Sequence, residues 1–99
     1  MRSYLFKLIT PEGKIFDGEV ESISAPGTQG TFGVLFHHAP LISTLKKGVL
    51  SIKQNNNEIF FALRSGILET TPKEGTVILA DKATSASSKE DALEKIKEL

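Results

Sequence analysis

Short apolar runs separated by turn residues fill the first 80 positions of the chain, and this pattern predicts β-strands. The turn signals recur every 8 to 12 residues or so, which is typical of a β-sandwich or β-barrel. Nothing helical fits between the runs, so a parallel βαβ architecture is not expected. Strands are predicted over residues 4–10, 15–16, 20–25, 41–45, 49–54, 59–64, 67–71 and 76–80.

Two pairs of consecutive predicted strands are expected to form hairpins because of the residues between them. The arms 49–54 and 59–64 flank three consecutive asparagines, and asparagine tolerates the left-handed backbone that tight turns need. The arms 67–71 and 76–80 flank a Pro-Lys-Glu-Gly turn. The strand 20–25 alternates poorly, which indicates a bulge or burial on both faces.

The segment 25–42 has a composition that neither an ordinary strand nor a helix favours. Gly27, Gly30 and Gly33 are evenly spaced, and two prolines bracket them. Glycine serves positive φ or close approach, and proline removes a hydrogen-bond donor. We therefore predict a shaped loop, followed by a short strand, at a position where binding is common.

Catalytic and metal-binding interpretations of this segment are weak. The glycine spacing matches neither of the common phosphate-binding motifs. His37 and His38 are adjacent, so on an extended chain they point to opposite sides and are poorly placed to share a metal. No nucleophile elbow is present for a serine hydrolase.

The composition changes after Asp81. Small residues over 84–88 predict a linker, and residues 89–99 predict a short helix with Ala92, Leu93, Ile96 and Leu99 on one face. Ser87 and Glu90 have the spacing of a capping box. The expected organisation is a β-domain over 1–83, a linker over 84–88 and a helix over 89–99.

Charge and cysteine content narrow the classes of function. Twelve basic residues balance twelve acidic ones in this 99-residue chain, which argues against a protein whose main task is to grip nucleic acid. Cysteine is absent, so there is no disulfide framework or thiolate nucleophile. The N-terminus lacks a signal-peptide apolar region, and no run is long enough to span a bilayer, so a soluble chain is expected.

Several segments in sequence resemble one known family, the epsilon subunits of bacterial and chloroplast F-type ATP synthases. The resemblance extends over residues 4–83. It is carried by Thr10-Pro11-Glu12-Gly13-Lys14-Ile15-Phe16-Asp17-Gly18-Glu19-Val20, Gly30-Thr31-Phe32-Gly33-Val34-Leu35, His38-Ala39-Pro40-Leu41-Ile42, Leu45-Lys46, Gly48, Gly66-Ile67-Leu68-Glu69 and Val77-Ile78-Leu79-Ala80-Asp81.

The resemblance implies a ten-stranded antiparallel β-sandwich followed by one short helix, with no active site and no cofactor. It implies a rotor subunit of the central stalk that binds the gamma subunit and the c-ring and couples proton flow to ATP synthesis. Its location would be peripheral, on the cytoplasmic face of the bacterial membrane. The implied ring-contacting loop is Gly27, Thr28, Gln29, Gly30 and Thr31, and the implied gamma contacts are Thr10, His38 and Ser43.

The sequence departs from the family most at its C-terminal end. Longer relatives carry two helices that can reach the catalytic head and inhibit ATP hydrolysis, and some bind ATP through an acidic and arginine motif. Here one short helix follows Ser88, and Asp91-Ala92-Leu93 lacks the arginine. We expect no long-arm inhibition and little or no ATP sensing.

The alternative function is a free-standing β-barrel module that binds oligonucleotide or carbohydrate. That class predicts exposed aromatic residues and a basic groove. With one tyrosine, no tryptophan and no net positive charge, the sequence favours the rotor subunit.

Overall fold

The fold is defined by a computed structural model, which describes residues 2–99. Within that range it has ten strands and one helix, and the predicted mainly-β sandwich with a C-terminal helix is confirmed. The elements are β1 (Tyr4–Thr10), β2 (Gly13–Val20), β3 (Ser22–Gly27), β4 (Gly30–Leu35), β5 (Leu41–Leu45), β6 (Gly48–Gln54), β7 (Asn57–Leu63), β8 (Gly66–Thr71), β9 (Gly75–Ala80), β10 (Ala83–Ala86) and α1 (Lys89–Ile96).

The strands form one hydrogen-bonded path that folds back on itself into two layers. The path runs β10-β7-β6-β3-β5-β8-β9-β1-β2, and β4 pairs with the free side of β3. A single residue pair, Gly27 with Leu45, joins β3 to β5, and the sheet bends at this point. One layer therefore contains β4, β3, β6, β7 and β10, and the other contains β5, β8, β9, β1 and β2.

The core lies between the two layers because alternate residues of each strand point inward. Phe16 of β2 bridges the layers, with its ring centroid 5.7 Å from that of Phe6 in β1 and 6.5 Å from that of Phe61 in β7. The buried apolar core is Phe6, Leu8, Val20, Ile23, Ala25, Val34, Leu45, Leu50, Ile52, Phe61, Leu63, Leu68, Ile78 and Ala80.

Both predicted hairpins are confirmed, and their turns follow from the residues in them. Asn55 and Asn56 have φ values of 52° and 67° and close the β6–β7 hairpin in the left-handed conformation. Gly75 has a φ of 89° at the start of β9. Thr70 and Thr76 face each other in the β8–β9 hairpin, with hydroxyls 2.7 Å apart and buried.

The predicted shaped loop is wrong over most of its length. Residues 25–27 end β3, and residues 30–35 form β4, so only the two-residue turn at Thr28-Gln29 and the segment 36–40 are irregular. The glycines misled the prediction because they allow close packing within a hairpin as readily as a loop.

Several smaller expectations also need correction. The predicted strand 15–16 is part of the longer strand β2, which continues through Gly18 to Val20. The poor alternation of 20–25 arises because Val20 ends β2 and Ile23 belongs to β3. The pair β1–β9 is parallel, although the other pairs are antiparallel. Most of the predicted linker is β10, which pairs with β7 from Ala83↔Leu63 to Ala86↔Phe60.

Helix α1 packs against β6, β7 and β10 on the outer face of its layer. Its buried residue is Ala92, whereas Leu93, predicted on the same face, is 49% exposed. The N-cap is Ser88 and not Ser87: the Ser88 hydroxyl accepts the N–H of Asp91 at 3.0 Å. Lys95 Nζ donates to the Ser85 carbonyl at 2.8 Å and ties the helix to β10.

The Asp91 carboxylate makes the start of α1 sensitive to acid. Its pKa is lowered, chiefly because the Ser87 N–H donates to it at 2.9 Å and also because Lys95 Nζ lies 3.2 Å away. A lowered folded pKa means that this stabilisation is present above the ordinary carboxyl range and is lost as pH falls through the folded value.

We therefore expect Asp91→Asn to lower the thermal midpoint of unfolding at neutral pH, and the difference from the parent to shrink as the pH falls through the lowered folded pKa of Asp91. Thermal denaturation of both proteins across pH 2–7 checks this. A difference that stays constant down to pH 2 would contradict the assignment.

Candidate functional site

The β3–β4 hairpin projects a short polar tip, formed by Gly27, Thr28, Gln29, Gly30 and Thr31. Gly27 and Gly30 face each other across the two-residue turn, and Gly30 has a φ of 127°. Thr28, Gln29, Gly30 and Thr31 are exposed, whereas Gly27 is buried. The hairpin tip therefore offers the hydroxyls and the amide of Thr28, Gln29 and Thr31 to a partner.

Hydrogen bonds to β5 and to the residue after it hold the base of the hairpin tip. The N–H of Thr28 donates to the Thr44 carbonyl at 3.2 Å, and the N–H of Lys46 donates to the Pro26 carbonyl at 2.9 Å. A Cβ at Gly27 would lie 2.8 Å from the Gly30 carbonyl oxygen and from the Phe32 ring. Gly27 is thus required for packing, and the tip has a defined orientation.

An ion pair lies among the turns at the same end of the sandwich. Arg64 Nε donates to Asp81 Oδ2 at 2.8 Å, and the Ser65 N–H donates to Asp81 Oδ1 at 3.0 Å. The Arg64 guanidinium is the main cause of the lowered pKa of Asp81. This pair ties the turn after β7 to the turn after β9 beside the hairpin tip.

The structure does not bring the three residues predicted to contact gamma into one patch. Thr10 lies at the tip end of the sandwich and is 7% exposed, and its hydroxyl accepts the Glu12 N–H within the β1–β2 turn. His38 lies before β5, at the opposite end, with ring Nδ1 2.6 Å from the Ala39 carbonyl oxygen. Ser43 lies within β5 and is half-buried.

A second surface, absent from the sequence predictions, covers the outside of the layer that contains β5, β8, β9 and β1. Strand register places Thr44, Ile67, Leu79 and Ile9 in one row, and Ile42, Glu69, Val77 and Lys7 in the next. Ile42 is 71% exposed, Leu79 54% and Ile67 51%. We call Ile9, Ile42, Ile67, Val77 and Leu79 the outer apolar face.

The outer apolar face is unusual because its large side chains are adjacent. Scattered exposed apolar residues are normal, whereas contiguous ones mark interaction surfaces. The consecutive apolar residues Ile67-Leu68 and Val77-Ile78-Leu79 were the available signal, because a half-buried strand alternates and these runs do not. Recognising the patch also required the strand register, which the sequence alone did not supply.

The segment 36–40 carries a strained turn beside His38. His37 has a φ of 60°, and its ring stacks on that of Phe36 at 4.0 Å with planes 13° apart. The Arg2 guanidinium carbon lies 5.4 Å from the centre of the Phe36 ring. A left-handed conformation at a non-glycine residue is costly, and the stacking offsets part of that cost.

Two of the cavities that open on the surface of the described residues differ in character, and neither is lined by His37 or His38. One open cavity of about 450 Å³ is lined by Ser3, Glu19, Val20, Glu21, Gln54 and Asn55. A groove of about 300 Å³ runs along the layer that carries the outer apolar face.

Across residues 2–99 no group of three histidine, cysteine, aspartate or glutamate side chains is placed to hold a metal ion. Within the same residues, no helix has the length and apolarity needed to cross a bilayer.

A sandwich with a polar hairpin tip at one end and an exposed apolar outer face has surface features that are typical of proteins that dock onto partners. Comparison with known proteins identifies the family. Residues 3–86 match the family described as ATP synthase, Delta/Epsilon chain, beta-sandwich domain. The chain belongs to this family and, within it, to the epsilon chains of F-type ATP synthases.

Curated relatives support this membership. The ATP synthase epsilon chain of Caulobacter vibrioides is 40% identical over 82 residues, which is 83% of this chain and 94% of the relative. That of Helicobacter pylori strain Shi470 is 38% identical over 96 residues, covering 93% and 77%. That of Bradyrhizobium sp. strain ORS 278 is 40% identical, and this chain spans only 62% of its length.

Solved structures show the same fold in larger chains. A chain of the Euglena gracilis mitochondrial ATP synthase superposes with a TM-score of 0.81 at 18% identity, covering 97% of this chain and 62% of that one. A chain from the central stalk and c-ring of the Tetrahymena thermophila enzyme gives a TM-score of 0.69, also at 18% identity, covering 83% and 66%.

The packing at Gly27 can be separated from contact with a partner. We expect Gly27→Ala to lower the free energy of unfolding by about 1–3 kcal/mol, because the added methyl overpacks the turn. Gln29→Ala, at an exposed tip position, should change it by less than about 0.5 kcal/mol. Urea denaturation of both variants checks this, and equal effects would mean that Gly27 is not packed as described.

Proposed function

We propose that this chain is a non-catalytic subunit of the ATP synthase rotor, which binds the gamma subunit and the c-ring and couples proton translocation to ATP synthesis. The observation that carries the proposal is the outer apolar face on a sandwich of the epsilon-chain family. Binding of a partner over such a face is favourable, because burying apolar area contributes about 25 cal/mol per Å².

The two surfaces suit different partners. The outer apolar face supports binding to gamma through shape and apolar burial, with Glu69 and Lys7 in the adjoining row. The hairpin tip supports contact with the polar loops of the c-ring, since it presents neutral hydrogen-bonding groups at one end of the molecule. The complex would then lie peripherally on the cytoplasmic face of the bacterial membrane.

The expected gamma contacts are proposed in a modified form. Ile42 is beside Ser43 in β5 and faces out, so this strand contributes mainly through Ile42. His38 is near enough to the Leu41 end of β5 to lie at the margin of the same interface. The Thr10 hydroxyl accepts a hydrogen bond from Glu12 within the β1–β2 turn, so Thr10 would affect gamma binding only by fixing the position of that turn.

Titration of purified gamma subunit against the chain tests the proposal. We expect the double variant Ile67→Gln, Leu79→Gln to bind gamma at least about tenfold more weakly, because two large apolar side chains leave the interface. Leu93→Gln is the matched control, since Leu93 is equally exposed but lies on α1. Unchanged affinity in the double variant, or an equal loss in the control, would contradict the proposed face.

We also propose that α1 remains docked and does not reach the catalytic head. The support is its packing on β6, β7 and β10, the burial of Ala92, and the Lys95 contact with the Ser85 carbonyl. Deletion of residues 87–99 should therefore leave ATP hydrolysis by the assembled complex nearly unchanged. A severalfold activation would show that the segment is inhibitory.

A further inference from the structure

Glu69 is a carboxylate set among the side chains of the outer apolar face. Its neighbours across the sheet are Ile42 in β5 and Val77 in β9, so it has an aliphatic residue on each side. Residues directly opposite each other in an antiparallel pair have Cβ atoms about 5 Å apart. Ile67, two positions earlier in β8, lies on the same side of the sheet. The Glu69 side chain is exposed in the free chain, where water solvates its charge.

The described part of the chain gives Glu69 no ionic partner. No ion pair within residues 2–99 includes it. Lys7 lies in the same row, but Val77 separates the two residues, and at about 4.8 Å per strand their backbones are about 10 Å apart. Lys7 lies opposite Asp17 of β2, whose pKa is lowered mainly by the hydrogen bond from Lys14 and also by the charge of Lys7. Lys7 is therefore engaged with Asp17, and the Glu69 carboxylate is uncompensated.

Glu69 is also the residue at which two grooves of this layer meet. The groove of about 300 Å³ lies towards β9 and β1, and Lys7 and Glu74 help to line it. A second groove, of about 330 Å³, lies towards β5 and is lined partly by Leu41 and Ile42. The first groove has two carboxylates against one ammonium group, so its net charge is negative. A positively charged side chain of a partner would complement it.

Covering the outer apolar face removes water from Glu69. An ionised carboxylate that loses its water and gains no partner is strongly unfavourable, and this cost opposes the gain from burying Ile42, Ile67 and Val77. A purely apolar partner surface therefore fits the face poorly at its centre. A cation in contact with the carboxylate offsets the loss of water, so the charge of Glu69 restricts which surface can dock.

We propose that the gamma subunit places a cationic side chain, an arginine or a lysine, against Glu69 when it covers the outer apolar face. Either side chain has an apolar stem that would pack on Ile42 or Val77 while its charged end reaches the carboxylate. A single charge pair within an apolar interface fixes the register of the two surfaces, so Glu69 is a specificity-determining residue. This inference deepens the proposed function and rests on it.

Titration of purified gamma subunit against the variant Glu69→Leu tests the pairing, because the two kinds of partner surface predict opposite results. With a cation opposite, the substitution leaves that cation buried and unpaired, so we expect at least about tenfold weaker binding although the apolar face is larger. With an apolar surface opposite, the same variant binds more tightly. Glu58→Leu is the matched control, since Glu58 is exposed on β7 in the other layer, and it should change the affinity by less than about twofold.

Kinetics and cross-linking characterise the contact further. Glu69→Gln should also weaken binding by at least about tenfold, and the loss should appear as faster dissociation, because a desolvated charge pair acts mainly on the dissociation rate. A loss confined to slower association would show that Glu69 only steers the encounter, and would overturn the pairing. Carbodiimide coupling distinguishes the two cations: a cross-link from Glu69 to gamma identifies a lysine, and loss of affinity without a cross-link identifies an arginine.

The outcomes separate this inference from the proposed function. If Ile67→Gln, Leu79→Gln weakens the binding of gamma but Glu69→Leu binds as tightly as the parent or more tightly, the cation pairing is wrong and the rotor assignment stands. If the parent chain does not bind gamma, both are wrong. Proton uptake on binding that Glu69→Gln abolishes would show that the carboxyl group is buried in its neutral form, and would also overturn the pairing.

Discussion

The sharp bend between β3 and β5 is the constraint on which the rest of this molecule depends. Only Gly27 and Leu45 pair there, so the sheet can fold over and place Phe16 of β2 against Phe61 of β7. The β3–β4 hairpin that begins at this junction requires a residue without a Cβ at Gly27, because the Gly30 carbonyl and Phe32 ring occupy that space. The same junction anchors the hairpin tip through Pro26 and Thr28. The junction that lets the sheet fold over the core therefore also fixes the orientation of the hairpin tip.

The closed sandwich divides its outside into surfaces of different character. Helix α1 covers the outer face of one layer, so the apolar residues there are internal to the protein. The outer face of the other layer has no covering element among residues 2–99, and Ile42, Ile67 and Leu79 remain exposed on it. Under the proposed function, this asymmetry would let a chain without net charge bind specifically, with affinity from the apolar area and orientation from the neutral hairpin tip.

Local signals in the sequence were sufficient for the β6–β7 and β8–β9 hairpins and for the fold class. Asn55 and Asn56 specify their turn chemically, and β5 begins and ends where its apolar residues do. The β3–β4 hairpin was missed because its glycines serve different purposes: Gly27 packs closely against the Phe32 ring, whereas Gly30 adopts a positive φ at the turn. The cap at Ser88 was misplaced by one residue, because Ser87 and Ser88 offer the same side chain and only the backbone direction distinguishes them.

The candidate surfaces were harder to predict than the hairpins, because they depend on the register between strands that are far apart in the sequence. The hairpin tip could be located by resemblance, but the outer apolar face joins residues from four strands that are far apart in the sequence.

Hydroxyl-radical footprinting of the chain, free and assembled with gamma and the c-ring, tests the account most directly. It predicts that assembly protects Ile42, Ile67 and Leu79 from oxidation while Leu93 stays reactive. Protection of Leu93 with continued oxidation of Ile67 and Leu79 would show that the opposite side of the sandwich faces the rotor.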